Sequence, residues 1–395
     1  MGGDNVQTND TQRVEVVFKK LETGLETAIV PKELLKDVVQ NIEYNKTIID
    51  YYEQFQYEPH ITFSRETLQK NTKRLRNCNK FWELDKYEIQ KIKDFKRTNL
   101  CRDKFCCNCK KVRQSARMAK YIPELEQYKE NLFHLTLTLP NCSGTDLLFT
   151  YKKMAKAFER LIRYLDGRLK IKGVDFGCWG YQGAVRSLEV TFHGDSYHPH
   201  FHVGLVLADL SLGKKNIKNS YSYDNKTGFK ELKRLFSSEE VLIQKIWYLL
   251  LNGIKVTNKA IKELKEGYSC TIEQFKESDF AELFKYMTKE TDENGQTLTY
   301  ENFINLYYSL YRIKQIQGYG CLYRIKDDGD LEEMEEEYEK YIQEIAKKES
   351  PTMVSERPQD LLLDTEYTLI SRKNYFKYLR QLNNNIDTNP CEDGK

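Results

Sequence analysis

No run of eighteen or more apolar residues occurs in this 395-residue chain, so it offers no helix of the length and apolarity that a bilayer crossing needs. The opening MGGDNVQTNDTQ has none of the apolar core of a secretory leader. No fixed-period repeat is present, which excludes a solenoid or propeller array. Histidine is scarce, with six residues in all. There are ten cysteines, but the chain is long and lacks an export signal, so a disulfide framework of the small secreted kind is not the expected use. Four of the first five cysteines cluster tightly, which reads as a metal site. The expectation is a soluble, cytoplasmic protein without a membrane partner. Its 40% hydrophobic and 12% aromatic content suffices for a buried core in two or three domains.

A net charge of +3 hides a strong segregation of sign. Residues Arg65 to Lys120 hold 18 Lys/Arg against 6 Asp/Glu, whereas Asp327 to Glu349 hold 11 acidic residues against 3 basic ones. A basic block of that density is the electrostatic footprint of a nucleic-acid contact, although a solvated helix surface gives the same composition. Arg102, Lys104, Lys110, Lys111, Arg113 and Arg117 are the residues expected to touch DNA.

Periodicity divides the chain into four parts. Residues 1–65 form an N-terminal extension with one amphipathic helical pattern around Lys32 to Gln54; residues 66–125 form a basic, cysteine-bearing module. From 126 to 326 strand and helix patterns alternate. A β-like run, Phe133 to Leu139, ends at Pro140, where a ladder donor is lost. Apolar residues at helical spacing (Met154, Phe158, Leu161, Ile162, Leu165) mark a helix over Leu147 to Leu165, closed by Asp166 and Gly167. Two strand-like runs follow, Ala184 to His193 and His200 to Leu207, then helical patterns over Phe229 to Leu251 and Asp279 to Lys289, and a last β-rich stretch, Gly318 to Ile325. Residues 327–395 read as an acidic helix or tail. Strand, helix, strand, strand, helices predicts an α+β domain around an antiparallel sheet.

Three groups of residues carry chemistry. Cys78, Cys101, Cys106 and Cys109 supply four thiols at a spacing that suits tetrahedral structural zinc, whose binding would hold together a segment too poor in apolar residues to build its own core. Free buried thiols are the alternative. Cys107 competes for a place, but Cys107 and Cys109 are separated by one residue, too tight for the usual knuckle, so Cys106 is preferred.

The second group is His198-Pro-His200-Phe-His202. Alternate residues of a strand share a face, so His200 and His202 present two imidazoles side by side. Two imidazoles and a carboxylate suit a divalent cation with open positions. Glu189, in the preceding strand, is the first choice for the third ligand and His198 the alternative; a polar surface strand is the plain reading. His60, His134 and His193 are assigned to ordinary positions.

The third group is the pattern Asp279 to Lys289, which as a helix would put Glu282, Tyr286 and Lys289 on one face as base, nucleophile and cation. With 27 tyrosines in the chain, a Tyr-x-x-Lys spacing alone identifies nothing.

The ordered set Cys78…Cys101-x4-Cys106-x2-Cys109, Leu135-Thr-Leu-Thr138, Arg186-Ser-Leu-Glu-Val-Thr191, His198-Pro-His-Phe-His202 and Glu282-x3-Tyr286-x2-Lys289 resembles the replication initiators of small rolling-circle plasmids, within the HUH endonucleases. The resemblance covers roughly Thr72 to Ile325; Cys107 departs from it, standing where the family usually carries Pro. It implies an HUH-type central antiparallel sheet flanked by helices behind an N-terminal four-cysteine zinc module. It also implies a DNA endonuclease and strand transferase, in which Tyr286 attacks an origin phosphodiester to leave a 5′-phosphotyrosyl link and a 3′-hydroxyl. Mg²⁺ or Mn²⁺ on His200 and His202 would clamp the phosphate, and Glu282 would activate water at the end of a round. The implied partners are plasmid origin DNA, as a single-stranded hairpin with its flanking duplex, and the host helicase and polymerase. An HUH-type transposase or relaxase would share this chemistry; a relaxase usually places its tyrosine ahead of the histidines, unlike Tyr286. A non-enzymatic zinc-containing DNA-binding regulator is the rival of another class, and it leaves Glu282 and Tyr286 without a role.

Overall fold

The computed structural model describes residues 13–15, 29–31, 44–59, 61–87, 92–208, 223–225, 232–234, 236–285, 287–289, 291, 296–325 and 367–371. The expected acidic tail at 331–348 lies outside the described residues, as does the start of the helical pattern at Phe229. Two compact units emerge: Met1–Ala116 together with Gly329–Lys395, and Arg117–Asp328.

In the first unit, strands β1 (Arg13–Glu15) and β2 (Ile29–Pro31) pair antiparallel. Helix α1 (Tyr44–Phe55) buries Ile48, Tyr52 and Phe55, a four-then-three spacing on one helical face. It packs with α2 (Arg65–Arg76), which buries Leu68, Thr72 and Leu75 and pairs Arg76 with Glu53 of α1. Strands β3 (Phe81–Tyr87) and β4 (Ile92–Thr98) form a hairpin with a register shift at Glu83/Leu84, and β12 (Tyr367–Ser371) adds to β3. Helix α3 (Cys107–Glu126) begins in this unit and ends in the next.

The second unit is built on five antiparallel strands: β5 (Leu132–Leu137), β6 (Tyr181–His193), β7 (Ser196–Leu207), β10 (Cys270–Gln274) and β11 (Ile316–Gly320), in the order β10-β5-β7-β6-β11. A separate ribbon pairs β8 (Tyr223–Asn225) with β9 (Leu232–Arg234). The α+β class and the antiparallel sheet expected from the sequence are both present. The β6–β7 hairpin turns on Gly194-Asp195, with Gly194 at φ +55° in the first turn position, a conformation that glycine adopts without a Cβ penalty. That turn sets the register, placing Glu189 opposite His200, Ser187 opposite His202 and Leu188 opposite Phe201.

Both faces of the central strands are covered. On one, Phe201, Val203 and Leu205 are fully buried. Helix α4 (Leu147–Leu165), whose bounds match the sequence pattern, brings Phe158 edge-on to Phe201. Helix α5 (Ser238–Leu251) brings Trp247 to the same ring, and its Nε1 donates to the Thr138 carbonyl. The start of α5 is fixed by a capping box between Ser237 and Glu240. Buried Glu240 also accepts the Ile272 N–H, pinning the edge strand β10. Short helix α6 (Asn258–Glu263) follows.

The opposite face, with the histidines, carries α7 (Glu277–Phe284). Gly204 lies there in line with His198, His200 and His202, where a Cβ would be in ordinary contact with Leu283 of α7 at 3.6 Å and tight only against Val185 of β6 at 3.3 Å. Helix α8 (Tyr300–Leu310) precedes β11, and its first-turn Asn302 donates to the Gly194 carbonyl, bracing the hairpin turn. Among the described residues no helix is long and apolar enough to cross a membrane.

Candidate functional site

Four cysteine sulfurs converge in the first unit. Cys78 follows α2, Cys101 lies in the loop after β4, Cys106 immediately precedes α3 and Cys109 sits in its first turn; all four are buried. The Cys78–Cys106, Cys78–Cys109 and Cys101–Cys109 sulfur separations are each 3.6 Å. Tetrahedral thiolates about 2.3 Å from a zinc ion would stand about 3.8 Å apart, so the four can hold a metal ion of that size. Asn79 and Arg102, each directly after a clustered cysteine, adopt left-handed φ values of +52° and +64°. Such a turn is uncommon for residues with a side chain, and at Arg102 it aims the backbone N–H at Cys109 Sγ, 3.2 Å away.

Each of the four sulfurs accepts one N–H: Cys78 from Cys101 N, Cys101 from Asp103 N, Cys109 from Arg102 N and Cys106 from Asn45 Nδ2. Hydrogen bonds from Cys101, Cys106 and Cys78 hold the Cys109 thiol well below its usual value. Cys107 takes no place in the cluster. Its N–H and Sγ–H both donate to Asn45 Oδ1 at 3.1 Å, which orients the Asn45 amide toward Cys106. Asn45 belongs to α1, in a stretch whose sequence gave no hint of contact with the cysteines.

Of the basic residues expected to touch DNA, two are buried. Lys110 is buried over the Tyr44 ring, and Arg117 is buried with Nη1 donating to Gln315. Helix α3 turns these two positions inward. Arg102, Lys104, Lys111 and Arg113 stay partly exposed.

The second cluster lies on the sheet of the other unit. His200 Nε2 and His202 Nε2 stand 3.0 and 3.2 Å from the same oxygen, Glu189 Oε2, and the three residues form a group able to hold a metal ion. The strand pairing produces this: Glu189 opposes His200 across β6–β7, and His202 is one same-face position along. His198, the alternative ligand, falls outside that group; its ring centre lies 5.3 Å from that of His200, whose Nδ1 contacts the His198 carbonyl. The second carboxylate oxygen, Glu189 Oε1, is buried without a hydrogen-bond partner, with the ammonium groups of Lys285 and Lys289 at 3.6 and 3.7 Å. Two imidazole nitrogens and a carboxylate are a donor set for a divalent cation. Burial alone would raise the Glu189 pKa, yet the adjacent His200 and His202 imidazoles and the charge of Lys285 hold it far below the carboxylate range.

The expected helix from Asp279 to Lys289 is shorter. Helix α7 ends at Phe284 and Lys285 is extended, with φ −52° and ψ 155°. The reason is tertiary: the Met287 carbonyl accepts Val190 N–H of β6 at 2.8 Å, and Gln315 takes the Lys285 carbonyl, so these groups are unavailable to a helix. Glu282 and Lys289 therefore do not share a helix face, and Tyr286 lies outside the described residues. The chain on either side of it is tied to the site. Lys285 bonds Glu282 at 3.0 and 3.2 Å, and Val190 forms a parallel bridge with Thr288. Lys285, unremarked in the sequence, thus stands between the two carboxylates, its pKa raised as Glu189 and Glu282 outweigh the opposing effect of burial.

His134 is the other residue that sequence reasoning passed over. Its Nε2 lies 3.1 Å from His202 Nδ1 and its Nδ1 3.2 Å from Asp279 Oδ1. The only available signal was its place before the Leu-Thr-Leu-Thr strand, which a core histidine fits equally well.

Residues 92–220 match the model of the Rep_1 family, described as Replication protein. The chain is similar to curated proteins named Protein rep. The one from Staphylococcus aureus is 28% identical over 226 residues, covering 55% of this chain and 81% of the relative. That from Streptococcus pneumoniae serotype 2 is 30% identical over 237 residues, covering 57% and 61%, and that from Bacillus amyloliquefaciens is 25% identical over 226 residues, covering 53% and 60%. The chain thus spans less than two thirds of the second and third. No solved structure matches it.

Proposed function

We propose that this chain, whose residues 92–220 match the family model of the Rep replication proteins, initiates rolling-circle replication of a plasmid by nicking and rejoining single-stranded origin DNA. The observation that carries the reading is the convergence of His200 and His202 on Glu189 Oε2, with Lys285 and Lys289 beside Oε1. A sheet face that gathers two imidazoles, a carboxylate and two ammonium groups is built for a phosphodiester.

In the proposed reaction Tyr286 supplies the nucleophile. Its phenol gives up its proton to solvent, its oxygen bonds the scissile phosphorus, and the bond from phosphorus to the 3′ oxygen breaks, that oxygen taking a proton from solvent to leave a 3′-hydroxyl beside a 5′-phosphotyrosyl link. A phenol of ordinary pKa about 10 needs a cationic setting to react near neutrality, which Lys285 and Lys289, the ammonium groups beside Glu189, would supply. Glu189, His200 and His202 would hold Mg²⁺ or Mn²⁺, which when bound neutralises charge on the phosphate oxygens. Glu282, 43% exposed at its side chain and charge-paired with Lys285, stands open to solvent as the base that takes a proton from water in a terminating hydrolysis. Strand transfer by one tyrosine cannot itself release the protein, so a separate water-activating carboxylate makes each molecule act once.

Cys78, Cys101, Cys106 and Cys109 are proposed to bind structural Zn²⁺, and Arg102, Lys104, Lys111 and Arg113 to contact the backbone of the duplex flanking the nick. The host helicase and polymerase would act on the exposed 3′ end. The test mixes purified protein with supercoiled plasmid carrying its cognate origin and Mg²⁺ or Mn²⁺. Nicking by wild type that disappears in His202→Ala is expected; equal nicking by both removes the histidine cluster from the reaction, and tight DNA binding without nicking under either metal favours a regulator.

A further inference from the structure

We propose that His134 and Asp279 form a positioning pair that fixes the ring and tautomer of His202 for metal binding. The inference rests on the reading of Glu189, His200 and His202 as a divalent-cation site.

The hydrogen-bond chain runs in one direction. Asp279 is held at both oxygens: Oδ2 accepts the Lys276 N–H at 2.7 Å, and Oδ1 faces His134 Nδ1 at 3.2 Å. A carboxylate accepts, so His134 carries its proton on Nδ1 and turns the lone pair of Nε2 toward His202. His202 Nδ1, 3.1 Å from that lone pair, is then the protonated nitrogen, and its Nε2 lone pair faces the Glu189 cluster, the arrangement a ligating imidazole requires. His202 Nε2 and Glu189 Oε2 are then both acceptors, 3.2 Å apart, an arrangement that suits a cation shared between them. The rings of His134 and His202 are also within stacking distance, their centres 5.3 Å apart at 30°, and Phe275 packs on the other side of His134. The pair joins three elements: His202 on β7, His134 on the neighbouring strand β5 and Asp279 in the first turn of α7. His200 has a plainer arrangement, its Nδ1 meeting the His198 carbonyl at 3.2 Å. Partners of this kind raise a ligand's basicity and fix its orientation, and their loss typically costs about 10- to 100-fold in metal affinity.

Mn²⁺ affinity, measured by electron paramagnetic resonance of the free ion on full-length protein with its zinc retained, tests the pair without reference to activity. His134→Phe is expected to weaken Mn²⁺ binding by about 10- to 100-fold, Asp279→Ala by about tenfold, and His134→Gln, whose amide can still accept from His202 and donate to Asp279, to recover most of the loss. Wild-type affinity in His134→Phe alongside lost affinity in His202→Ala overturns the positioning role and leaves the metal site standing. Unchanged affinity in His202→Ala overturns the metal site itself. If His134→Phe does not fold, as read by melting and zinc content, Asp279→Ala decides alone: wild-type affinity there refutes the proposal. Selective ¹⁵N-histidine spectra of the Mg²⁺-loaded protein give a second readout, tractable with six histidines: His134 should be the Nδ1–H tautomer, and an Nε2–H tautomer contradicts the chain.

Discussion

Replacing Asn45 is predicted to loosen the four-cysteine site although Asn45 coordinates nothing. Its amide is shared between two jobs: Nδ2 donates to Cys106 Sγ at 3.3 Å, and Oδ1 accepts Cys107 N–H at 3.1 Å, at the start of α3. In Asn45→Ala the thiolate loses a charge-assisted bond worth about 1.5–3 kcal/mol, and a buried helix-start N–H loses its acceptor at about 1–2 kcal/mol. Asn45 is only half-buried, so water recovers part of this, and a net loss of about 2 kcal/mol corresponds to about 30-fold in zinc affinity. Asn45→Asp separates the two jobs. A carboxylate can still accept from Cys107, but it sets an anion about as close to the Cys106 thiolate as the amide was, a repulsion of about 5 kcal/mol at an effective dielectric of 20 before relaxation. Chelator competition followed by a colorimetric zinc indicator should rank retention as wild type, then Ala, then Asp. Wild-type retention in Asn45→Ala, or better retention in Asp than in Ala, would refute the reasoning.

Other expectations follow from the same contacts. Glu240→Ala strips acceptors from the Ser237 and Ile272 N–H groups and should destabilise the protein by about 3 kcal/mol in urea unfolding, with exchange protection lost first at Ile272; a change under 0.5 kcal/mol would mean water replaces the carboxylate. At Asp279, burial would raise the pKa, but hydrogen bonds from His134 and Lys276 N–H hold it below 3.8. Its contribution to stability is therefore present above about pH 3.8 and lost as pH falls below it. The melting temperatures of wild type and Asp279→Ala should converge on acidification, and a constant gap would contradict the assignment. Lys111→Gln and Arg113→Gln should each lower the slope of log affinity for duplex origin DNA against log salt by about 1, whereas Lys110→Gln should act through stability; equal effects would place Lys110 at the interface.

The sequence was most legible where one periodicity ran uninterrupted. Helix α4 was readable to its bounds because Met154, Phe158, Leu161 and Leu165 repeat on one face. The β6–β7 pair was readable because His198, His200 and His202 alternate with Phe201, Val203 and Leu205, and the pairing sets Glu189 opposite His200. Legibility failed where a distant contact set the outcome. Nothing between Asp279 and Lys289 breaks a helix, so its end at Phe284 became visible only with the Val190–Met287 hydrogen bond. His134 and Asp279 are 145 positions apart in the sequence and meet only because α7 packs on the sheet face that carries the histidines of β7. Lys110 and Arg117 looked like the rest of the basic block until α3 gave each position a direction. Strand β10 and helix α8, short and flanked by polar residues, were not singled out at all.

The central claim is that Tyr286 becomes joined to the 5′ end of a nicked origin strand. The direct measurement is to incubate the protein with a single-stranded origin oligonucleotide and Mn²⁺, digest with trypsin and locate the nucleotide-bearing peptide by mass spectrometry. The account predicts the adduct on Tyr286, absent in Tyr286→Phe and in His202→Ala. An adduct on another tyrosine, or cleavage with no adduct, would contradict it.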